Sequence, residues 1–522
     1  MSDVSCWWST TIAPDAAVAA LVELGFEFGP PQPAAHSVID TFDGRLHRVG
    51  ARLGSRPVYQ PGNADAVELS PRGSALPDQP LVVGRLPRSP SDLPAGQFGV
   101  RLGAIVRSRA LLVQLTMSSK RSHALRRNRD GKAVARVELH TDVRIADGDG
   151  TIRDTDMATW CLELHELPDH RSPAAKARKR LDGLGLQGLE TDSLGWAASI
   201  AAIDLSGGAS SSEVTLKHTD TATRAFRRVL SQQGDIVAAT WPGARDDLDP
   251  EFLHDLRIAL RKARTVLRSS RRVMPAEARR DALDLAGALA RQTGAARDLD
   301  VHLMAWESHV SALDPSERAL LEPVRELLAL RREQAHARLV EAMHAADRDR
   351  WLHRWQELVG ATSEPGRVRP LQARRPAGRV IATRIEQAHD RLIRDGRSIT
   401  ATSPSEAVHR LRKDAKHLRY LLESFGSLIA KPHRRAYGAQ LEAVQDLLGA
   451  FQDATVHRAL LDDVAIELRV APQATFDALA SLTDVVDALG VTLRDDVIAS
   501  LEAFDSKGTR RALRDVLSDL RT

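Results

Sequence analysis

Two segments of the chain carry the same arrangement of cationic side chains. Each begins with a histidine, and basic residues follow three, seven and ten positions later. At about 100° per residue, these four positions share a helical stripe about 80° wide. Like charges held this close repel one another unless an anion lies between them. The pattern predicts an anion-binding surface formed by His254, Arg257, Arg261, Arg264 and Arg268 in the first segment and by His409, Arg412, Lys416 and Arg419 in the second.

The residue types in these stripes suit phosphate. Arginine makes paired hydrogen bonds to phosphate oxygens, whereas lysine acts as a point charge. The alternative interpretation is an ordinary basic helix face, although such faces usually mix charges of both signs. Glu423 falls on the second stripe one turn after Arg419, and we expect it to neutralise that arginine. Arg268 takes the corresponding place in the first stripe.

The two segments belong to an internal repeat. They are offset by 155 residues (254 to 409), and residues 294–302 match residues 449–457 in the same register without a gap. Such a register indicates a duplication. Beside each stripe runs an apolar face that is expected to be buried. Its positions are Leu253, Leu256, Leu260, Ala263 and Leu267 in the first copy and Val408, Leu411, Ala415, Leu418 and Leu422 in the second.

The elements that hold these residues change in type near residue 205. Short alternating runs before this point predict strands at 104–109, 111–115, 135–140 and 160–165. Residues 204–212 have the composition of a linker. Helical periodicity follows at 217–240, 250–273, 276–293, 298–312, 316–346, 379–396, 404–428, 432–449 and 452–470, with three shorter helices after these. The prediction is an α+β multidomain chain with units at 1–203 and 213–522, the latter holding repeats at about 217–346 and 379–522.

Composition narrows the classes of partner. The 522 residues are 43% hydrophobic and 27% charged, as in globular proteins. The net charge is only +4, so an anion site must come from a local concentration of basic residues. Aromatic residues, at 4%, are too few for base-stacking platforms, which argues against nucleic acid. Two cysteines, no secretion signal and no long apolar segment predict a cytoplasmic protein without a membrane partner.

Residues 213–522 resemble the CHAD family, the conserved histidine α-helical domain. The resemblance lies in the twice-repeated stripe and in residues 416–423 and 445–453. It implies an all-α domain of two four-helix bundles, whose basic side chains line a central groove that binds inorganic polyphosphate. The expected partner is therefore polyphosphate, the expected location is the cytoplasm with its polyphosphate granules, and no cofactor is expected.

Residues 38–53 resemble a stretch of the CYTH family, which implies an antiparallel β-barrel or tunnel that binds triphosphates and divalent metal. The family's opening Glu-x-Glu-x-Lys element is absent, and Ser5–Thr10 stand in its place. His165 stands where a second carboxylate would help to hold a metal. We therefore expect a degenerate CYTH-like domain with no catalytic residues.

Two functions from different classes follow. The first is a non-catalytic polyphosphate-binding protein. The alternative is a metal-dependent triphosphatase or phosphoanhydride hydrolase to which the helical domain presents polyphosphate. Its carboxylates would be Glu138, Asp142, Glu163 and Glu166.

Other residues that could do chemistry have simpler interpretations. Two Glu-x2-His motifs, at 333–336 and 386–389, lie among arginines, and we expect them on exposed charged faces rather than at a metal. Asp298 and Asp453 are expected to cap helices or to orient arginines. The histidines outside the stripes receive no role, and no metal site is predicted.

Overall fold

The structure is a computed structural model that describes residues 4–77, 79–153, 159–167, 171–207, 214–361, 370–468 and 472–522. It divides into two compact units, Met1–Ser211 and Ser212–Thr522, which are described separately below. Most of the predicted linker, residues 208–212, lies outside the described residues. Among the helices of the described ranges, none has both the length and the apolar character needed to cross a membrane.

The N-terminal unit is built on one antiparallel sheet. Its strands are β1 (Val4–Trp8), β2 (Phe26–Phe28), β3 (Gln32–Asp40), β4 (Arg52–Pro57), β5 (Val67–Arg72), β6 (Leu81–Val83), β7 (Leu112–Arg127), β8 (Ala133–Asp147), β9 (Ile152–Arg153), β10 (Cys161–Glu166) and β11 (Gln187–Leu189). Its helices are α1 (Pro14–Val22), α2 (Arg45–Arg48), α3 (Gln97–Val106), α4 (Arg171–Asp182) and α5 (Ser193–Ile200).

The predicted antiparallel sheet is confirmed, but its strands do not close into a barrel. The strand order is β11-β1-β10-β8-β7-β3-β4-β5-β6, and in the described part of the chain the two end strands do not pair with each other. Three of the four predicted strands lie in β7, β8 and β10. The fourth prediction, 104–109, is wrong, since residues 104–106 belong to α3. There Phe98, Leu102 and Val106 are buried at helical spacing, and this packing outweighs the short alternation.

The C-terminal unit is helical. Its first repeat contains α6 (Ala222–Arg245), α7 (Pro250–Ser269), α8 (Ala276–Gln292), α9 (Gly294–Met304), α10 (Trp306–Val310), α11 (Pro315–Leu320), α12 (Glu322–Ala346) and α13 (Arg348–Gly360). The second contains α14 (Ala377–Gly396), α15 (Ser405–Ser424), α16 (Lys431–Glu467), α17 (Gln473–Phe504) and α18 (Lys507–Arg521).

Each repeat forms a four-helix bundle, as predicted. In the first, α6, α7, α8 and α13 pack in a ring, and in the second α14, α15, α16 and α18 do the same. The sequence predicted no helix at α13, and this helix completes the first bundle beyond residue 346. Its Trp351 and Trp355 are buried, and Trp355 donates a hydrogen bond to the carbonyl of Leu230 at 2.9 Å. The bundles contact each other through α6 with α14 and α7 with α15.

The duplication appears in the helix boundaries. Helices α7 and α15 begin 155 residues apart, at Pro250 and Ser405, and they end 155 residues apart as well. The copies differ further on. Thr293 interrupts the first repeat between α8 and α9, whereas α16 continues through the equivalent position. The prediction of separate helices at 432–449 and 452–470 is therefore wrong, and two helices, α17 and α18, follow instead of three.

Candidate cationic site in the helical unit

Helices α7 and α15 hold the two cationic stripes. Asp249 begins α7 by accepting hydrogen bonds from the backbone amides of Glu251 and Phe252, at 2.8 and 3.1 Å. Both predicted apolar faces are confirmed, because all ten of their side chains are buried. The stripes lie beside these faces and are partly buried, except for the exposed Arg268. Burial of the neighbouring apolar face thus fixes the direction in which each stripe points.

A cavity of about 350 Å³ lies between the two repeats and joins the stripes. Six of the nine predicted residues line it: His254, Arg257 and Arg261 from α7, and His409, Arg412 and Lys416 from α15. Arg297, Asp298 and His302 from α9 and Gln452 and Asp453 from α16 complete its polar wall. Side chains that are 155 residues apart in sequence therefore face a common space.

Two carboxylates orient arginines at symmetric positions of this cavity. Asp298 lies 3.6 Å from Arg257, and Asp453 lies 3.5 Å from Arg412. The predicted capping role is wrong, since Asp298 lies inside α9 and Asp453 inside α16. Their contacts agree instead with the alternative prediction that they orient arginines. Each pair fixes a guanidinium at the cavity wall.

Two other cations of the cavity differ from these arginines. In the part of the chain that the structure describes, Arg261 and Lys416 form no ion pair. Burial, reinforced by repulsion from Arg412 and Arg261, lowers the pKa of Lys416 to about 7. Burial and Arg261 lower the pKa of Arg257 to about 10. An anion in the cavity would relieve this repulsion.

Sequence reasoning missed Arg297 and Gln452, which occupy equivalent places in the two repeats. Arg297 is buried and donates a hydrogen bond to the carbonyl of Pro250 at 3.1 Å. The amide oxygen of Gln452 accepts a short hydrogen bond from the imidazole Nδ1 of His409. Both residues lie in the repeated motif that follows Gly294 and Gly449. Their equivalent positions in the two repeats could therefore have marked them as candidate site residues.

The three remaining predicted residues lie outside this cavity. Arg264 and Arg268 lie further along α7. Burial lowers the pKa of Arg264, and repulsion from Arg268 and Arg291 lowers it further. Arg419 lines a separate cavity of about 500 Å³, to which α16 contributes three basic residues: Lys431, Arg434 and Arg435. The expected neutralisation of Arg419 is confirmed, since Glu423 lies 2.6 Å from its Nε.

The N-terminal unit has its own polar cavity, of about 400 Å³. Five arginines contribute to its wall: Arg52, Arg56, Arg72, Arg121 and Arg136. Of the four carboxylates considered for catalysis, Glu138 and Glu163 line it. Asp142 is exposed and pairs with Lys120, whereas Glu166 pairs with Arg178.

The two of these carboxylates that line the cavity, Glu138 and Glu163, already have partners. Glu163 is buried, accepts a hydrogen bond from the backbone amide of Ser193 at 2.8 Å, and lies 3.0 Å from Nε2 of His165. Although burial raises the pKa of Glu163, these two contacts hold it below its ordinary value. Glu138 forms an ion pair with Arg136.

The Glu-x2-His motifs behave differently from each other. Glu333 is exposed, as predicted, and His336 lies 3.1 Å from the carbonyl of Ala244. The prediction of an exposed face is wrong for His389, which is buried and makes a 2.9 Å hydrogen bond with the Tyr437 hydroxyl. The Nδ1 atom of His389 is therefore satisfied by a hydrogen bond and does not require a metal ion as its partner.

Comparisons with known proteins identify the domain that holds the cationic cavity. Residues 228–462 match the family model of the CHAD domain, so the helical unit contains a CHAD domain. Two uncharacterized proteins of Mycobacterium tuberculosis, from strains CDC 1551 / Oshkosh and H37Rv, are each 27% identical to this chain over 277 residues. The match covers 50% of this chain and 49% of each relative, so the chain spans about half the length of the curated relatives it matches.

Two solved structures are similar to part of this chain. The CHAD domain from the plant Ricinus communis is 22% identical with a TM-score of 0.46, over 56% of this chain and 95% of that one. PptA from Streptomyces chartreusis is 17% identical with a TM-score of 0.40, over 54% of this chain and all of that one.

Proposed function

We propose that the chain is a non-catalytic protein that binds inorganic polyphosphate in the cavity between α7 and α15. The observation that carries this proposal is the common cavity of both stripes, in which Arg261 and Lys416 have no ion pair in the described part of the chain. A linear polyanion with one charge per phosphate suits two rows of cations that repel each other when empty. The CHAD domain match supports the same ligand class.

The path of the ligand extends beyond the cavity in this proposal. Arg264 and Arg268 continue the row on α7, and Arg419 lies beside the basic residues at the start of α16. Longer polyphosphate chains would therefore contact more cations than short ones. By the same interaction, the protein would associate with polyphosphate granules in the cytoplasm.

The N-terminal cavity favours anion binding over hydrolysis. Its arginines could hold a phosphate group, but Glu138 and Glu163 are engaged by Arg136, His165 and Ser193. Magnesium binding needs free oxygen ligands in near-octahedral geometry. Hydrolysis of a phosphoanhydride by this unit remains the second candidate function, because both carboxylates face the same cavity.

One experiment tests both candidates. The purified chain is titrated with polyphosphate of defined lengths, with ATP and with duplex DNA, while phosphate release is measured in the same tubes with Mg²⁺ or Mn²⁺. We expect preferential binding of polyphosphate that weakens steeply with salt, because binding releases counterions. Salt-insensitive binding, or DNA bound as tightly as polyphosphate, would contradict the proposal.

A further inference from the structure

Three histidine side chains from three helices converge beside the cationic cavity. His302 lies on α9, His309 on α10 and His457 on α16. The ring centroids of His309 and His457 are 3.9 Å apart, and those of His302 and His457 are 5.1 Å apart. One ring nitrogen of each histidine lies within 4.8 Å of the other two. This spacing brings three potential metal ligands to one point.

Two ring nitrogens of this histidine cluster have no hydrogen-bond partner in the described part of the chain. They are Nδ1 of His302 and Nδ1 of His309, and both are buried. A buried polar atom without a partner costs free energy and is uncommon in native proteins. A cation held by the imidazole lone pairs would satisfy such atoms.

The protonation state of the cluster suits a cation. Burial lowers the pKa of His302 and of His309, and burial together with the two neighbouring imidazoles lowers the pKa of His457 to about 3. Each of these shifts favours the neutral imidazole. Neutral imidazole is the form that coordinates metal.

We propose that His302, His309 and His457 bind one zinc ion. Imidazole suits zinc, and zinc sites with three protein ligands keep a fourth position for water or another oxygen ligand. Tetrahedral coordination at Zn–N distances of about 2.0–2.1 Å places the nitrogens about 3.4 Å apart, so they would approach one another by at most about 1.4 Å. Binding needs small side-chain movements rather than a rearrangement of helices.

Two nearby carboxylates favour a positive ion at this place. Asp298 acts electrostatically on His302, and Asp453 acts on His309. Both carboxylates also line the cationic cavity, as does His302. The zinc ion would lie beside the proposed polyphosphate site, but its three ligands are distinct from the cationic residues of the stripes. The zinc proposal therefore does not depend on polyphosphate binding.

A bound ion would connect the two repeats, since His302 and His309 belong to the first and His457 to the second. A ligand that binds only the folded state raises the unfolding temperature. The test uses the full chain, stripped of metal by a chelator and titrated with ZnCl2 in the absence of phosphate. We expect one zinc ion per chain by calorimetry and a higher thermal unfolding midpoint. Co²⁺ should give an absorption spectrum typical of tetrahedral coordination, and Zn²⁺ should abolish it.

Two variants and a matched control make the test specific. His457→Phe keeps a ring in the stack but removes the ligand, and His309→Ala removes a half-buried ligand. Each should weaken zinc binding at least 100-fold and abolish the shift in unfolding midpoint. His353→Ala, which removes an exposed histidine of α13, should leave both unchanged. Circular dichroism of the metal-free variants checks their folding. Absence of stoichiometric zinc binding by the wild type, or equal binding by a folded His457→Phe variant, would overturn the proposal.

Discussion

The carboxylate of Glu423 lies 2.8 Å from the ammonium group of Lys262, so an ion pair joins α15 of the second repeat to α7 of the first. The same carboxylate lies 2.6 Å from Arg419. Although burial opposes ionisation, Lys262 and Arg419 hold the pKa of Glu423 below its ordinary value. Glu423 is therefore negatively charged at neutral pH. Because it forms ion pairs with Lys262 and Arg419, these two cations are less available to an anion that binds on this side of the stripes.

The Glu423→Gln variant should bind long polyphosphate more tightly than the wild type. The substitution removes a negative charge beside the ligand and releases Arg419 and Lys262. We expect a modest gain, about threefold to tenfold, equivalent to about 1 kcal/mol. Calorimetric titration at low salt measures it, with the exposed Glu406→Gln on the same helix as the control. Unchanged affinity would place Glu423 outside the path of the ligand.

Charge reversal in the shared cavity should weaken binding from either repeat. Arg261→Glu and Lys416→Glu each place a repulsive charge in the same space, and each lost charged contact is worth about 1–3 kcal/mol. Long chains should be affected more than short ones, which can shift to one half of the site. The measurement is a binding series over chain length for both single reversals and their combination.

Lys413→Glu provides the matched control for these reversals, since Lys413 is exposed on α15. It makes the same residue change as Lys416→Glu, from lysine to glutamate, but lies outside the cavity. If both cavity reversals left the affinity unchanged for long and short chains alike, the two stripes would not share one ligand.

Polyphosphate affinity should fall as the pH rises above about 7. In the empty cavity the pKa of Lys416 is about 7, because the residue is buried and close to Arg412 and Arg261. A bound polyanion stabilises the charged form and raises this pKa, so binding takes up a proton near and above pH 7. The affinity lost on raising the pH from about 6 to about 9 should largely disappear in Lys416→Arg, whose guanidinium stays charged. A wild type and a variant with the same pH profile would exclude Lys416 as the titrating group.

The chain should release no phosphate from triphosphate, ATP or polyphosphate with Mg²⁺ or Mn²⁺. The reason is that Glu163 is occupied by Ser193 and His165, and the opening acidic element of CYTH proteins is absent. A phosphate-release assay over hours checks this expectation. Metal-dependent turnover that Glu163→Gln abolishes, and that the exposed Glu190→Gln retains, would establish the hydrolase instead.

Gly378→Ala should destabilise the helical unit. A Cβ atom at Gly378 would meet the carbonyl oxygen of Leu520 at 2.0 Å, so α14 and α18 would have to separate. We expect a loss of about 1–3 kcal/mol in the free energy of unfolding. At Gly438, inside α16, a Cβ meets no atom within 4 Å, so Gly438→Ala should stabilise the protein by about 0.5–1 kcal/mol. Denaturant unfolding of the two variants measures both effects, and equal stability of the two would contradict this account of α14 packing.

The sequence alone determined the repeat, the two helices that hold the stripes and the faces that these helices bury. Helical periodicity makes an apolar face recognisable without knowledge of its partner, and the buried positions beside both stripes were therefore predicted correctly. The same reasoning failed at α16, where it predicted two helices, at 432–449 and 452–470, instead of one. There the packing of α16 against α15, α17 and α18 keeps the helix continuous, although the local sequence favours a break.

Only the tertiary structure decided which cations share a space. Periodicity places Arg264 and Arg261 on the same stripe, but the crossing of α7 and α15 admits Arg261 to the cavity and leaves Arg264 outside. The histidine cluster shows the same limit. His302 and His457 are equivalent in the repeat, whereas Val464 stands at the position equivalent to His309. The meeting of these histidines depends on contacts between helices far apart in the chain, and a one-dimensional pattern does not contain those contacts.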